Sequence, residues 1–207
     1  MTSTTAGWST ALKGMVGGQA HVALPSPIPV ADLLALLDRA CLAWRTEEAH
    51  SHGQVAPLAD NRAADEFYAL LAGLAADAAR GLRVDTDRVN HVYGKRLRYE
   101  PGRGPLGWHC DTDAEGLDEG LRRGLVERWQ YDEMRGRTLS CSVQLTHPGA
   151  YDGGRLLVRA DDGLEVTAPL ELGTFVFFAS DRQHSVTEVT RGRRESLVCF
   201  MGYSPRG

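Results

Sequence analysis

The sequence predicts a mainly β protein with flanking α-helices, a double-stranded β-helix of the jelly-roll or cupin-like kind carrying N-terminal helices. Three observations predict it. The first half holds two stretches with apolar residues three and four apart, and from Val89 onward the apolar period shortens to two. The short runs of the second half are also broken at regular intervals by Gly, Pro and Asp. Many short, evenly punctuated strands after a helical section pack most readily as a closed or sandwiched sheet. A chain of 207 residues suits one domain: 1–88 as helical support and 89–203 as the jelly-roll core, with a flap inserted at 113–135.

In chain order, residues 1 to about 20 are rich in Thr, Ser, Gly and Ala and read as a frayed terminus, with Trp8 able to dock on a core. Leu24-Pro25-Ser26-Pro27-Ile28-Pro29 must be extended or turn-like, because each proline fixes φ and biases its predecessor away from helix. A first helix is expected from Pro29 through Leu33, Leu36, Leu37, Ala40 and Cys41 to Trp44. His50-Ser51-His52-Gly53 reads as a polar surface loop rather than a metal site. A second helix is expected over Ala64–Arg80 on Phe67, Leu70, Leu71, Leu74 and Ala78, with Gly81 at its stop.

Strand follows over Val89–Tyr99, then a turn-rich link from Glu100 to Pro105, then a strand carrying Gly107-Trp108-His109-Cys110-Asp111. Asp113 to about Arg135 is dense in charge and glycine, with Leu121, Leu125 and Trp129 at roughly helical spacing. It reads as a partly helical flap or substrate-recognition segment. Thr138–Leu145 alternates, with Leu139, Cys141, Val143 and Leu145 on one face and Ser140, Ser142 and Gln144 on the other. A polar face turned inward suits a ligand pocket. Tyr151-Asp152-Gly153-Gly154 reads as a turn, followed by strands near 155–159, 164–168, 174–179, 184–189 and 195–203. Asp161-Asp162-Gly163 and Arg191-Gly192 punctuate them.

Bulk properties exclude several classes. A formal net charge of −4 gives no pull toward nucleic acid or anionic membrane. No apolar run is long enough to span a bilayer and no signal pattern opens the chain, so a cytoplasmic protein is expected. Cys41, Cys110, Cys141 and Cys199 include no Cys-x-x-Cys pair and fit reduced thiols. Of 23 basic residues only Lys13 and Lys95 are lysines.

The chemistry concentrates at His109-x-Asp111. Residues two apart on a strand share a face, so an imidazole and a carboxylate can converge on one divalent metal, with His184 as the third ligand. Two His and one carboxylate form the facial set that suits Fe(II) with open positions. Such an iron needs two further electrons to activate dioxygen, and a dicarboxylate such as 2-oxoglutarate needs a cation for its far carboxylate. Arg194 lies ten residues after His184 at the start of the last strand, and Ser196 is on the same face; Arg193 would point the other way. His91 and His147 read as structural, and Arg122-Arg123 as a solvated face. Trp108 and Trp129 read as pocket or core residues.

Arg98-Tyr99-Glu100-Pro101-Gly102, Trp108-His109-Cys110-Asp111, Tyr151-Asp152-Gly153-Gly154 and His184-Ser185-Val186 through Arg194 together resemble the Fe(II)- and 2-oxoglutarate-dependent dioxygenases of the prolyl-4-hydroxylase-like branch. The resemblance covers about residues 89–203. It implies Fe(II), 2-oxoglutarate and O2, with ascorbate as a stimulant, and decarboxylation to succinate coupled to oxidation of an unactivated C–H bond. It implies iron ligation by His109, Asp111 and His184, cosubstrate anchoring by Arg194, and a pocket-facing Tyr99. Gln144 falls where some relatives place a cosubstrate-contacting tyrosine. An aspartate at 111 disfavours halogenation, since related halogenases lack that carboxylate. The expected substrate is a small molecule such as an amino acid or biosynthetic intermediate. A prolyl or peptidyl hydroxylase acting on protein is the alternative, with a non-catalytic metal-binding jelly-roll module and a cupin-type metalloenzyme behind it.

Overall fold

The computed structural model describes residues 19–47, 52–112, 114–124 and 127–203, and the side chains of 114–116 and 129 lie outside that description. The expectations for the first eighteen residues, for His50-Ser51 and for Trp129 therefore fall outside the described residues.

Strand β1 (Val22–Pro25) leads into helix α1 (Val30–Ala40), which starts directly after Pro29. Leu33, Leu36, Leu37 and Ala40 form its buried stripe, while Asp32 in the first turn and Arg39 in the last complement the helix dipole. The helix does not reach Trp44 as its spacing predicts. Cys41 turns extended, and Trp44 leaves to lie beneath the Arg98 guanidinium, 4.0 Å from its ring centroid. Strands β2 (Arg45–Thr46) and β3 (His52–Pro57) follow, so His52-Gly53 belongs to a buried strand, not to the expected surface loop. Helix α2 (Arg62–Leu82) is capped by Asn61, whose side chain accepts from the Ala64 N–H at 2.9 Å. It ends at Arg83 in the left-handed conformation (φ 58°) rather than at Gly81, which stays helical.

The remaining elements are β4 (His91–Tyr99), β5 (Leu106–His109), α3 (Ala114–Arg122), α4 (Arg128–Arg135), β6 (Arg137–Gln144), β7 (Tyr151–Gly153), β8 (Leu156–Arg159), β9 (Glu165–Thr167), β10 (Thr174–Ala179), β11 (His184–Val186), β12 (Val189–Gly192) and β13 (Arg194–Gly202). A seven-stranded antiparallel sheet runs β1-β10-β6-β13-β4-β3-β2, and a four-stranded sheet runs β5-β11-β8-β9. A third pair, β7 with β12, takes in two segments expected as turns, Tyr151-Asp152-Gly153 and Arg191-Gly192. The architecture is a double-stranded β-helix, mainly β with helices on one side.

Parity divides the large sheet. Leu139, Cys141 and Val143 of β6 and Leu197, Cys199 and Met201 of β13 pack with α1 and α2 in one apolar core. Val55, Leu97, Val176 and Phe178 face Leu156, Val158 and Val186 of the smaller sheet in a second. The alternation read from Thr138–Leu145 is thus the alternation observed, and the Ser140, Ser142, Gln144 face turns inward between the sheets. All four cysteines are free thiols. Among the described residues no helix is long and apolar enough to cross a membrane.

Candidate metal centre

Strands β5 and β11 are neighbours in the small sheet, and their register sets His184 opposite His109. The two imidazoles lie 4.2 Å apart between centroids. Strand β5 ends at His109, so Asp111 does not reach the histidines by strand parity as the sequence suggests. It stands in the following turn, where its N–H donates to the Ser180 carbonyl at 2.9 Å. The Ser140 hydroxyl donates to Asp111 Oδ2 at 2.5 Å and lies 2.9 Å from the Ser180 hydroxyl. That clamp leaves Asp111 Oδ1 facing the His109 and His184 Nε2 atoms, at 3.9 and 3.7 Å.

Each histidine is held through its other nitrogen. Nδ1 of His109 is 2.8 Å from the Gly107 carbonyl, and Nδ1 of His184 is 3.0 Å from the Arg182 carbonyl. A carbonyl can only accept, so Nδ1 carries the hydrogen and both Nε2 lone pairs are free for a metal. Burial lowers the pKa of His184, against the opposing pull of Asp111 and with the help of its neighbour His109. That favours the neutral, ligating form. One ligand atom from each of the three residues lies within 4.8 Å of the others, and these are the one candidate metal cluster among the described residues. Two imidazole nitrogens and one carboxylate oxygen on one side of a cavity fit Fe(II) with its remaining positions open.

The cavity between the sheets measures about 150 Å³, and His109, Asp111, His184, Tyr99, Arg194 and Ser196 all line it. Arg194 is 2% exposed, and no carboxylate pairs with it among the described residues. Its Nε is buried without a hydrogen-bond partner, while its NH1 reaches the Ser196 hydroxyl at 3.4 Å. A buried, uncompensated guanidinium is costly unless an anion joins it, so the residues present fit a dicarboxylate whose far end enters here. Tyr99, opposite Arg194 in the β4–β13 register, places its ring 5.2 Å from the guanidinium. Burial raises the Tyr99 pKa despite Arg194, so its phenol is a neutral donor beside that position. Arg193 is exposed and lies near Glu195, 3.6 Å away.

Gln144 is buried but does not line this cavity. Its amide donates to the Tyr151 hydroxyl at 2.6 Å and to the Thr146 carbonyl at 3.1 Å. Tyr151 in turn flanks Gly154, which adopts φ 58°. A Cβ on Gly154 would sit 2.8 Å from Arg194 Cδ and 2.9 Å from Val189 Cγ2, so the glycine makes the space that the arginine fills. The Gly154→Ala protein is expected to bind 2-oxoglutarate about tenfold more weakly and to lose about 1–2 kcal/mol of stability through strain at positive φ. Calorimetric titration and a melting curve check both, and unchanged affinity would mean Arg194 tolerates the push.

Several residues outside this group have plain structural places. Trp108 is 37% exposed, with the Arg159 guanidinium 4.3 Å from its ring centroid. His91 approaches Glu133, His147 Nδ1 accepts from the Gly149 N–H, and Arg122 and Arg123 pair with Glu119. In the insertion, Tyr131 and Arg135 of α4 both bond Asp118 of α3. Two titratable cavity residues escaped sequence reading. His52 lines the wall beside Tyr99, edge-on at 6.0 Å, and Lys95 lines it further along β4. For Lys95 the signal was available, since it sits an even four residues before Tyr99.

A family model described as the 2OG-Fe(II) oxygenase superfamily matches residues 94–202. A curated relative, a PKHD-type hydroxylase of Nitrosomonas eutropha, is 31% identical over 104 residues, which make up 50% of this chain and 40% of that protein. The chain thus matches less than half of that relative's length. Among solved structures, a Pseudomonas putida prolyl-4-hydroxylase superimposes with a TM-score of 0.62 at 20% identity, over 91% of this chain and 94% of that one. A prolyl hydroxylase of Trichoplax adhaerens, solved with a hypoxia inducible factor oxygen degradation domain peptide fragment, gives 0.61 at 12% identity, over 90% and 84%. At such identities the likeness is one of fold.

Proposed function

The chain belongs to the 2OG-Fe(II) oxygenase superfamily, and we propose that it hydroxylates an unactivated C–H bond of a small organic molecule, with His109, Asp111 and His184 holding Fe(II) and Arg194 holding 2-oxoglutarate. One observation carries this reading: a buried arginine without an anion shares a cavity with a His–Asp–His cluster. A metal retained only for structure has no use for Arg194 and Ser196, which speaks against a non-catalytic module.

Iron bound with 2-oxoglutarate supplies the oxidation, O2 taking two electrons from decarboxylation to succinate and carbon dioxide and two from the C–H bond. The protein's part is positioning. Ser140 and Ser180 fix the Asp111 carboxylate, and the Gly107 and Arg182 carbonyls fix the imidazole tautomers. Tyr99 and Ser196 offer neutral donors beside the Arg194 guanidinium, and Gln144 and Tyr151 keep Gly154 against it. Leu97, Leu156, Phe178 and Val186 supply an apolar part of the wall, and a less polar surround strengthens each of these contacts. The cavity is of the order that holds one benzene-sized molecule.

The names of the PKHD-type relative and of the prolyl hydroxylase neighbours support a second reading, hydroxylation of a prolyl residue in a peptide or protein. Both readings share one test. Under anaerobic conditions, Fe(II) followed by 2-oxoglutarate is expected to give a visible metal-to-ligand charge-transfer band that needs both components. Metal bound with no band on adding 2-oxoglutarate would return the chain to a structural-metal or cupin-type reading.

A further inference from the structure

Lys95 stands on the cavity wall in register with Val198, four residues before Tyr99 on β4. At about 3.3 Å per residue its backbone lies roughly 13 Å along the strand from the level of Arg194. The two cations therefore serve different ends of the cavity. Ser140, which holds Asp111, is in register with Phe200, two residues along β13 from Lys95's partner Val198. So Lys95 lies near the level of the triad, on the opposite flank of β13.

Its ammonium makes no hydrogen bond or ion pair among the described residues, and burial pulls its pKa below that of an ordinary lysine. The carboxylates in its field are already held: Glu47 by His52 and Arg45, and Asp111 by Ser140. Charge accounting leaves Lys95 over. Fe(II), the Asp111 carboxylate, a 2-oxoglutarate dianion and Arg194 sum to zero with neutral histidines. One positive charge then remains near the triad's level, on the wall of the same cavity. In a chain whose other described basic side chains are all arginine, this position carries the compact, flexible cation.

We propose that Lys95 binds a carboxylate of the substrate, so that the molecule oxidised is a small free acid, such as an amino acid with its carboxyl group unblocked, and not an internal residue of a peptide. This rests on the oxygenase reading above.

The test uses the full chain loaded with Mn(II), a redox-inert stand-in, and 2-oxoglutarate. A first titration measures 2-oxoglutarate itself; no binding there refutes the oxygenase reading, and the second titration is then run on the Mn(II) protein alone. That second titration compares propionate and benzoate with propionamide and benzamide, read by paramagnetic broadening of ligand protons. Wild-type protein is expected to prefer each acid over its amide by at least about tenfold. Lys95→Gln removes that preference, Lys95→Arg keeps it, and the Kd for 2-oxoglutarate stays within about twofold in both. Equal binding of acids and amides, or an acid preference that survives Lys95→Gln, overturns the proposal. So does a Lys95→Gln protein that loses 2-oxoglutarate instead, which would assign the lysine to the cosubstrate. Lys95→Met is expected to melt no lower than wild type, because it removes a partly buried charge that has no partner among the described residues. A fall in Tm would mark a structural lysine and likewise overturn the proposal.

Discussion

His184→Ala is expected to weaken divalent-metal binding by more than about 100-fold and to abolish turnover, while the protein stays folded. Loss of a residue that merely orients a metal ligand weakens affinity by about 10–100-fold, and loss of a ligand should exceed that. His184 is buried at the start of β11, its ring 4.5 Å from Phe178 and 4.2 Å from His109 between centroids. Without its Nε2, His109 and Asp111 supply two ligands from one strand end and one turn, too few to fix an open coordination set. The stability effect is smaller. Deleting the ring removes packing against Phe178, at about 2 kcal/mol, the low end for truncating a buried side chain of this size. Desolvation of the imidazole, which lowers its pKa, is relieved at the same time. For a chain of this length that amounts to a few degrees in Tm. Mn(II) calorimetry and metal analysis measure the first effect, and a melting curve the second. Stoichiometric tight metal in the variant would remove His184 from the centre, and Trp108→Ala, at an exposed neighbouring site, serves as the unaffected control.

Much of this centre could be read in the sequence because the residues involved lie on strands, where parity translates spacing into direction. His184, Arg194, Ser196 and the polar face of β6 are all of that kind. Parity separated Arg194 from Arg193, and the structure has the first buried and the second exposed. Asp111 is the instructive exception. Its convergence comes from a turn clamped by Ser140 and Ser180, and those partners lie 29 and 69 residues away, where no local pattern connects them.

The misreadings have similar causes. His52 looks polar in sequence, yet β3 is buried because it pairs with β4, a long-range contact. Tyr151–Gly153 and Val189–Gly192 carry turn-forming glycines and still form a ladder, since Gly153 and Gly192 take positive φ within strands that pass too close to other backbone for a Cβ. Helix ends misled in opposite ways: α1 stops short when Trp44 finds Arg98, and α2 runs past Gly81 to an arginine in the left-handed conformation. For the strands, long-range pairing prevailed over local propensity.

Arg194→Ala is expected to raise the Kd for 2-oxoglutarate by about 10–100-fold, the 1.5–3 kcal/mol of a lost charge-assisted carboxylate contact, while Mn(II) affinity stays within about twofold. The asymmetry follows from geometry. Arg194 touches Ser196 and Tyr99 but none of His109, Asp111 and His184, so it can act on the far carboxylate without disturbing the metal. Arg193→Ala, at an exposed position beside Glu195, should change neither constant. If Arg193→Ala shows the loss instead, the strand parity is off by one. Stability supplies a second, independent sign. In wild-type protein without 2-oxoglutarate, Arg194 is a buried cation whose Nε has no partner, an arrangement that lowers stability until an anion arrives. Arg194→Met, which keeps the aliphatic stem and drops the charge, should therefore melt above wild type when both lack 2-oxoglutarate. With 2-oxoglutarate at about 100 times its wild-type Kd, mass action adds about 2.7 kcal/mol to the wild type and little to the variant, so the order of the two melting temperatures is expected to reverse. A purely structural arginine would give a variant that melts lower under both conditions, and only an arginine kept for its ligand gives the crossing.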